Sequence, residues 1–174
     1  MKKIFLSRAT VLPNEYIDSF NHFESFLKEH ECEIKTLGAT MFTSSTPLKA
    51  INSEIQKCDG CIIFGTPQMI VNQAILKPNT TNQKKIENTS ISFSTPWNQI
   101  EAALAYAHEK PLMIISDELI HQEGFFENST SKNFIQRYNL KSSKWYNSQA
   151  FIEITQDWLK KYRVLVNTIC LMQA

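Results

Sequence analysis

Two short segments in which every side chain is apolar constrain the fold of this chain more than any other feature. They are residues 61–64 (CIIF) and residues 112–115 (LMII), and each follows a segment with helical periodicity. A strand without a polar face is typical of a parallel sheet that helices cover on both sides. We therefore predict an α/β fold, a flavodoxin-like three-layer sandwich with a central, mostly parallel sheet and helices on both faces.

Hydrophobic periodicity predicts further strands and helices along the chain. Residues 2–7 predict a first strand, residues 33–37 a second strand that Gly38 ends, and residues 134–138 a last strand. Three apolar stripes at helical spacing predict the first, second and closing helices, the closing one over residues 148–166: Tyr16, Phe20, Phe23 and Leu27; Leu48, Ile51 and Ile55; Phe151, Ile154, Trp158 and Leu165. Strands and helices thus alternate along most of the chain.

A helix over residues 97–109 is predicted by the signals at its start. Thr95 can cap the helix, and Pro96 suits the first helical position. By contrast, residues 68–91 have neither period, and their polar part over residues 78–88 predicts an exposed surface insertion. Because this insertion follows the third strand, we expect a mobile lid or a contact surface near the site.

Length and composition indicate one domain over residues 1–174 and exclude some partners. The chain has 18 basic and 17 acidic residues, a net charge of +1, so no overall field attracts nucleic acid or an anionic membrane. We find neither a long apolar run nor a secretion leader, which favours a cytoplasmic protein. Its partner is then expected to be a small molecule, held locally.

Residues that follow the predicted strands are candidates for binding such a molecule, because ligands of this fold bind beyond the carboxyl ends of the strands. Residues 116–118 follow the fourth strand. Arg8 and Thr10 could hold a phosphate, although an exposed arginine is more often only solvated. The four glycines form neither a Gly-x-Gly-x-x-Gly fingerprint nor a phosphate loop. The candidates after the first and third strands are Ser7, Arg8 and Thr10, and Gly65, Pro67 and Gln68.

Glu101 is the candidate for chemistry, because it is an acidic residue set among apolar neighbours in the second turn of the third helix. A rigid, partly desolvated carboxylate there could bind ribose hydroxyls or stabilise positive charge on a sugar carbon. Alternatively, Glu101 is solvated or paired with a lysine. Trp97, four residues earlier, could stack on a base or belong to the core.

Cys58 and Cys61 have the two-residue gap of a redox or zinc pair. A redox pair would follow a strand at the start of a helix, whereas here the order is helix into strand. A zinc site would need two further ligands, and the four histidines show no paired spacing. We therefore expect two buried, free thiols and no metal.

The order of these motifs resembles two related protein families over roughly residues 2–115. Residues 4–7 (IFLS) resemble the opening strand of TIR domains, and Trp97 followed by Glu101 resembles their spacing from tryptophan to catalytic glutamate. Nucleoside 2-deoxyribosyltransferases also look similar, with Asp59 before a strand and a glutamate in an alanine-rich helix. The chain lacks their glutamate directly after tryptophan, so the TIR-like hypothesis comes first. It departs from ordinary TIR domains through residues 68–91 and 116–174.

The resemblance to TIR domains implies cleavage of the N-glycosidic bond of NAD, which would be a substrate and not a cofactor. Glu101 would hold the nicotinamide ribose and stabilise its oxocarbenium-like transition state. In bacteria, standalone relatives make a nucleotide signal in antiviral defence, and many catalytic members self-associate. The alternatives are deoxyribosyl transfer between bases, with a covalent intermediate on the same glutamate, and a non-catalytic scaffold that binds other TIR-like domains.

Overall fold

The computed structural model describes residues 1–37, 46–127, 134–142 and 144–171, with the backbone alone for residues 134 and 161–171. Gly38, which we expected to end the second strand, lies outside these ranges. In chain order the elements are β1 (Lys2–Arg8), α1 (Asn14–Glu29), β2 (Cys32–Lys35), α2 (Pro47–Lys57), β3 (Gly60–Gly65), β4 (Met69–Val71), β5 (Ala74–Leu76), β6 (Lys84–Ile86), β7 (Ile91–Phe93), α3 (Pro96–Ala107), β8 (Leu112–Asp117), β9 (Phe134–Tyr138) and α4 (Gln149–Leu171).

The central sheet has five strands in the order β2-β1-β3-β8-β9, and every neighbouring pair is parallel. This is the order of flavodoxin-like folds, whose chain reverses its direction of winding between β1 and β3. The predicted α/β class and the parallel sheet are therefore confirmed. The carboxyl ends of all five strands lie along the same edge of the sheet.

Alternate side chains of each strand enter two separate cores, one on each face of the sheet. Ile62 and Phe64 of β3 pack with α1 and α4, whereas Cys61 and Ile63 pack with α2 and α3. All six residues of β3 and all six of β8 are buried. The three layers predicted from the apolar segments are thus present, because a strand covered on both faces has no polar side.

The insertion is more regular than its sequence indicates. Its four short strands form two antiparallel pairs, β4 with β7 and β5 with β6, where we predicted no regular structure. Each strand has three residues, too few to show an alternating pattern. We call the segment from β4 to β7 the arm. Its base contacts the loop after β8, where the backbone N–H of His121 donates to the carbonyl of Ser92 at 2.7 Å.

Most predicted boundaries differ from the observed ones by one to a few residues. The second strand begins at Cys32 and ends at Lys35, and the third helix ends at Ala107. The closing helix continues to Leu171, but the side chain of Leu165 in its predicted stripe lies outside the described part. Among the helices that the structure describes, none combines the length and apolarity needed to span a bilayer.

Candidate active site

A small cavity lies at the carboxyl end of β1, where the order of the sheet reverses. Its volume is about 110 Å³, and it lies between the loop after β1, the segment after β2, and the first turns of α3. In flavodoxin-like folds this is the expected place for a ligand. The lining residues are Leu6, Ser7, Arg8, Ala9, Thr10, Thr36, Leu37, Ile51, Thr95, Trp97 and Glu101.

The start of α3 brings several polar side chains to this cavity. Thr95 caps the helix as predicted, and its hydroxyl accepts a hydrogen bond from the backbone N–H of Asn98 at 3.1 Å. Residues three and four apart lie on the same face of a helix. Trp97, Asn98 and Glu101 therefore project from one side of α3, toward the end of β1.

Glu101 is buried, with 6% of its surface exposed, so the hypothesis of a solvated side chain is wrong. None of the ion pairs among the described residues includes it. Burial raises the pKa of Glu101 to about 7, and hydrogen bonding from Ser7 opposes this rise. Near neutral pH the carboxyl group therefore has substantial populations of both its charged and its protonated forms.

Ser7 and Asn98 form the polar surroundings of this carboxyl group. Both are buried, with 2% and 1% of their surfaces exposed. The Asn98 Nδ2 donates a hydrogen bond to Ser7 Oγ at 2.7 Å, and this bond joins α3 to β1. Ser7 was predicted as a binding residue, whereas Asn98 was not predicted at all. Its spacing of three residues from both Thr95 and Glu101 was the available signal.

Arg8, the last residue of β1, and Thr10, on the loop after it, also line the cavity. The Arg8 Nη1 donates to the backbone carbonyls of Ala9 at 2.8 Å and Thr10 at 3.3 Å, and its guanidinium lies 5.0 Å from the centre of the Phe20 ring. The side chain is thus folded against its own loop. Arg8 nevertheless lines the cavity, and its positive charge is compatible with an anionic group there.

Trp97 lies at the edge of the cavity with 43% of its surface exposed. The alternative that it belongs to the core is therefore wrong. An exposed indole beside a cavity has a free face on which a planar ring can stack. The structure thus brings together five predicted site residues, namely Ser7, Arg8, Thr10, Trp97 and Glu101.

The other three predicted site residues do not line this cavity. Gly65 is buried against Phe126, Pro67 is half-buried, and the exposed Gln68 donates to the Thr66 hydroxyl at 3.2 Å and the Pro67 carbonyl at 3.0 Å. At the end of β8, the carboxylate of Asp117 accepts hydrogen bonds from the backbone N–H groups of Leu119 and Leu140. These contacts order the loops around the strand ends.

A second, larger cavity of about 530 Å³ lies beside the first, and Thr95 lines both. It is formed by the base of the arm, the start of α3 and the loop after β8. Its lining is mostly apolar, and the imidazole of His121 meets the ring of Phe93 edge to face at 5.5 Å. The lining residues are Met69, Phe93, Ser94, Thr95, Pro96, Gln99, Ile100, Ile120, His121, Glu123 and Phe126.

The two cysteines of the Cys58 and Cys61 pair are buried and free, as predicted. Burial raises the pKa of the Cys58 thiol to about 11 and that of Cys61 well above its usual value. Within the described ranges, no three His, Cys, Asp or Glu side chains lie close enough together to hold a metal ion. Neither a reactive thiol nor a metal centre is therefore formed by these residues.

Comparisons with known proteins support the fold. No family model matches the chain. Over 147 residues, or 80% of its length, it is 26% identical to the methionine–tRNA ligase of Methanobrevibacter smithii, and it spans 21% of that protein. The structure of the CMP N-glycosidase BcmB of Clostridium botulinum is similar to it with a TM-score of 0.52 and 18% identity, covering 83% of this chain and 93% of that one. The structural likeness shows a shared α/β fold.

Proposed function

We propose that this protein is an enzyme that cleaves the N-glycosidic bond of a nucleotide, with Glu101 as its catalytic carboxylate. The observation that carries this proposal is the position of Glu101, a buried acid without an ion-pair partner among the described residues, facing a small cavity at the reversal point of the sheet. An isolated buried carboxylate costs stability, and such groups cluster at functional sites. The likeness in fold to a CMP N-glycosidase is consistent with this chemistry.

In the proposed reaction, the bond between the sugar C1′ and the base nitrogen breaks, and water supplies a hydroxyl to C1′ and a proton to the departing base. Positive charge grows on the sugar ring as the base leaves. The ionised carboxylate of Glu101 stabilises this charge, and a dry site makes the interaction stronger. A pKa of about 7 keeps a large fraction of Glu101 ionised at neutral pH.

Two neighbouring groups would bind the rest of the nucleotide. The exposed face of Trp97 is suited to stack on the base. Arg8, at the end of β1, and Thr10, on the loop after it, are suited to hold a phosphate. A nucleoside monophosphate would then place its sugar between these groups, at Glu101. CMP is the first substrate to test, because it is named for the similar structure.

NAD is the second candidate substrate, and the larger cavity is the observation that favours it. Thr95 lines both cavities, so the larger one is close enough to receive the second nucleotide of a dinucleotide cleaved at Glu101. The resemblance to TIR domains implies the same substrate and a nucleotide product that acts as a signal in defence. Aminoacylation is not part of the proposal, because the chain spans only a fifth of the ligase.

The test is liquid chromatography of reactions with CMP, other ribonucleoside and deoxyribonucleoside monophosphates, and NAD. A further reaction would contain a deoxynucleoside and a second free base, to detect base exchange. Wild type is expected to release base or nicotinamide, and Glu101→Gln is expected to be slower by a hundredfold or more. Glu29→Gln, an exposed acid at the end of α1, is the matched control.

Three results would contradict the proposal. Release of base at equal rates by wild type and Glu101→Gln would remove the carboxylate from the mechanism. Base exchange without hydrolysis would favour the deoxyribosyltransferase. No turnover of any of these substrates would favour the non-catalytic scaffold.

A further inference from the structure

A chain of hydrogen bonds links the cap of α3 to the candidate catalytic carboxyl group. The Thr95 side chain accepts the backbone N–H of Asn98 and donates to Asn98 Oδ1 at 3.5 Å. The other end of the same amide donates from Nδ2 to Ser7 Oγ. Ser7 and Glu101 line the same cavity, and hydrogen bonding from the Ser7 side chain lowers the pKa of Glu101. The chain therefore runs from Thr95 through Asn98 and Ser7 to Glu101.

The number of donors and acceptors decides the direction of these bonds. A serine hydroxyl has one proton to donate and two lone pairs that accept. Because Ser7 Oγ accepts the proton of Asn98 Nδ2, one lone pair is occupied and the hydroxyl proton remains for another acceptor. An ionised carboxylate can only accept. The Ser7 hydroxyl is thereby turned toward the charged form of Glu101.

We propose that Asn98 is a positioning residue, which acts through Ser7 to aim a hydroxyl proton at the carboxylate of Glu101. The amide itself does not need to contact substrate. Its side-chain Oδ1 accepts from the Thr95 hydroxyl, its Nδ2 donates to Ser7, and it is almost fully buried, so it has little freedom to turn away. The rigid start of α3 thus fixes the direction in which the Ser7 hydroxyl, on β1, points its proton.

Among the residues that the structure describes, few other charged or titratable groups face this carboxyl group. On β3, the Cys61 thiol is buried near it, and the charge of Glu101 contributes to the raised pKa of that thiol. At the end of β1, Arg8 lines the same cavity, and the residue that α2 contributes to the lining is the apolar Ile51. Within the described part of the chain, Ser7 is thus the hydrogen-bonding group that offsets the burial of Glu101.

The consequence is measurable without any substrate, by following the ¹³C signal of the Glu101 carboxyl group during a pH titration. Ser7→Ala removes the donated proton, so the titration midpoint should rise by about one pH unit, because a hydrogen bond to a charge favours the charged form. Asn98→Leu keeps a similar volume but frees the hydroxyl to turn, and should raise the midpoint in the same direction. Ser7→Thr, which keeps a hydroxyl group, should have a titration midpoint close to that of wild type.

The decisive comparison is the double variant. If Asn98 acts through Ser7, then Asn98→Leu will not raise the midpoint further in a protein that already carries Ser7→Ala. If Asn98 has only a structural role, Asn98→Leu will lower the unfolding temperature and leave the titration midpoint of Glu101 unchanged. That result would overturn the proposal. An unchanged titration midpoint in Ser7→Ala would also overturn the proposal. This measurement still tests it if Asn98→Leu does not fold.

The catalytic consequence rests on the proposed function. For a substrate that wild type cleaves, Asn98→Leu should lower kcat by roughly tenfold with little change in KM. The reason is that the lost hydrogen bond supports the carboxylate of Glu101, which stabilises the positive charge of the transition state. If the variants raise the midpoint as expected but wild type cleaves none of the substrates, the proposed function alone is contradicted. The titration therefore separates the failure of one proposal from the failure of the other.

Discussion

Gly65 lies against the ring of Phe126, so that a Cβ atom at residue 65 would come within 2.5 Å of Phe126 Cε1. The ring is buried, with 1% of its surface exposed, and it packs in the core beneath α3. Gly65 ends β3, and its lack of a side chain lets the short helical turn at residues 124–126 close over the sheet. This close approach explains the glycine without any contact to a ligand.

Gly65→Ala is therefore expected to destabilise the fold. The new methyl group would force Phe126 to move in a packed core, which typically costs about 1–3 kcal/mol. Chemical denaturation of the two proteins measures this loss. Gly65→Ala combined with Phe126→Leu should recover part of it, because the smaller side chain leaves space. An alanine variant as stable as wild type would show that the ring moves freely.

Glu101→Gln is expected to stabilise the protein at high pH and not at low pH. The pKa of Glu101 is raised from 4.5 to about 7 in the folded state, so folding favours the protonated form. Below pH 4.5 both states are protonated and there is no penalty. As the pH rises toward 7, wild type loses up to roughly 3 kcal/mol that the uncharged glutamine does not lose.

Urea unfolding of both proteins at pH 4.5 and pH 8 tests this expectation. The gain in the free energy of unfolding for Glu101→Gln should be present at pH 8 and nearly absent at pH 4.5. Glu29→Gln, at an exposed position, should show no such difference. A gain of equal size at both values would mean that charge burial is not its cause.

Trp97→Ala is expected to weaken turnover and leave the fold intact. The indole is 43% exposed, so its removal costs little core packing. Loss of stacking on a base is worth about 1–3 kcal/mol, or roughly a fivefold to hundredfold drop in kcat/KM. Trp97→Phe should keep part of the activity. Tyr106→Ala, at an aromatic residue on α3 that is 61% exposed and outside both cavity linings, is the control. Equal losses in Trp97→Ala and the control would exclude a specific role.

Cys58 and Cys61 are expected to resist alkylation in the folded protein. Burial and raised pKa values leave very little thiolate at pH 8. Treatment with iodoacetamide, followed by peptide mass spectrometry, should find both residues unmodified until denaturant is added. Cys58→Ser with Cys61→Ser should retain turnover. Rapid native labelling of Cys58 would mean that the turn between α2 and β3 opens.

The sequence was most informative where the residue types of a segment are compatible with only one structural setting, such as a strand buried on both faces or the start of a helix. The apolar residues of β3 and β8 predicted a sheet covered on both faces, and Thr95 with Pro96 predicted the start of α3. Local sequence patterns were uninformative where the role of a residue depends on a partner far away in the sequence. Asn98 could not be assigned a partner because Ser7 is 91 positions away. Gly65 was predicted as a binding residue from its place at the end of the third strand, and its packing against Phe126 is not visible in the sequence.

The arm between β3 and α3 is nested, because the pair β5 and β6 lies within the segment that β4 and β7 enclose. Val71 is paired with Ile91, so the two points between which residues 72–90 run are only about 5 Å apart. A two-residue turn could therefore replace this whole segment without changing the register of Phe93 or the start of α3. Chain length can thus be gained or lost at this one position in a single step, which makes it a suitable place to graft a reporter.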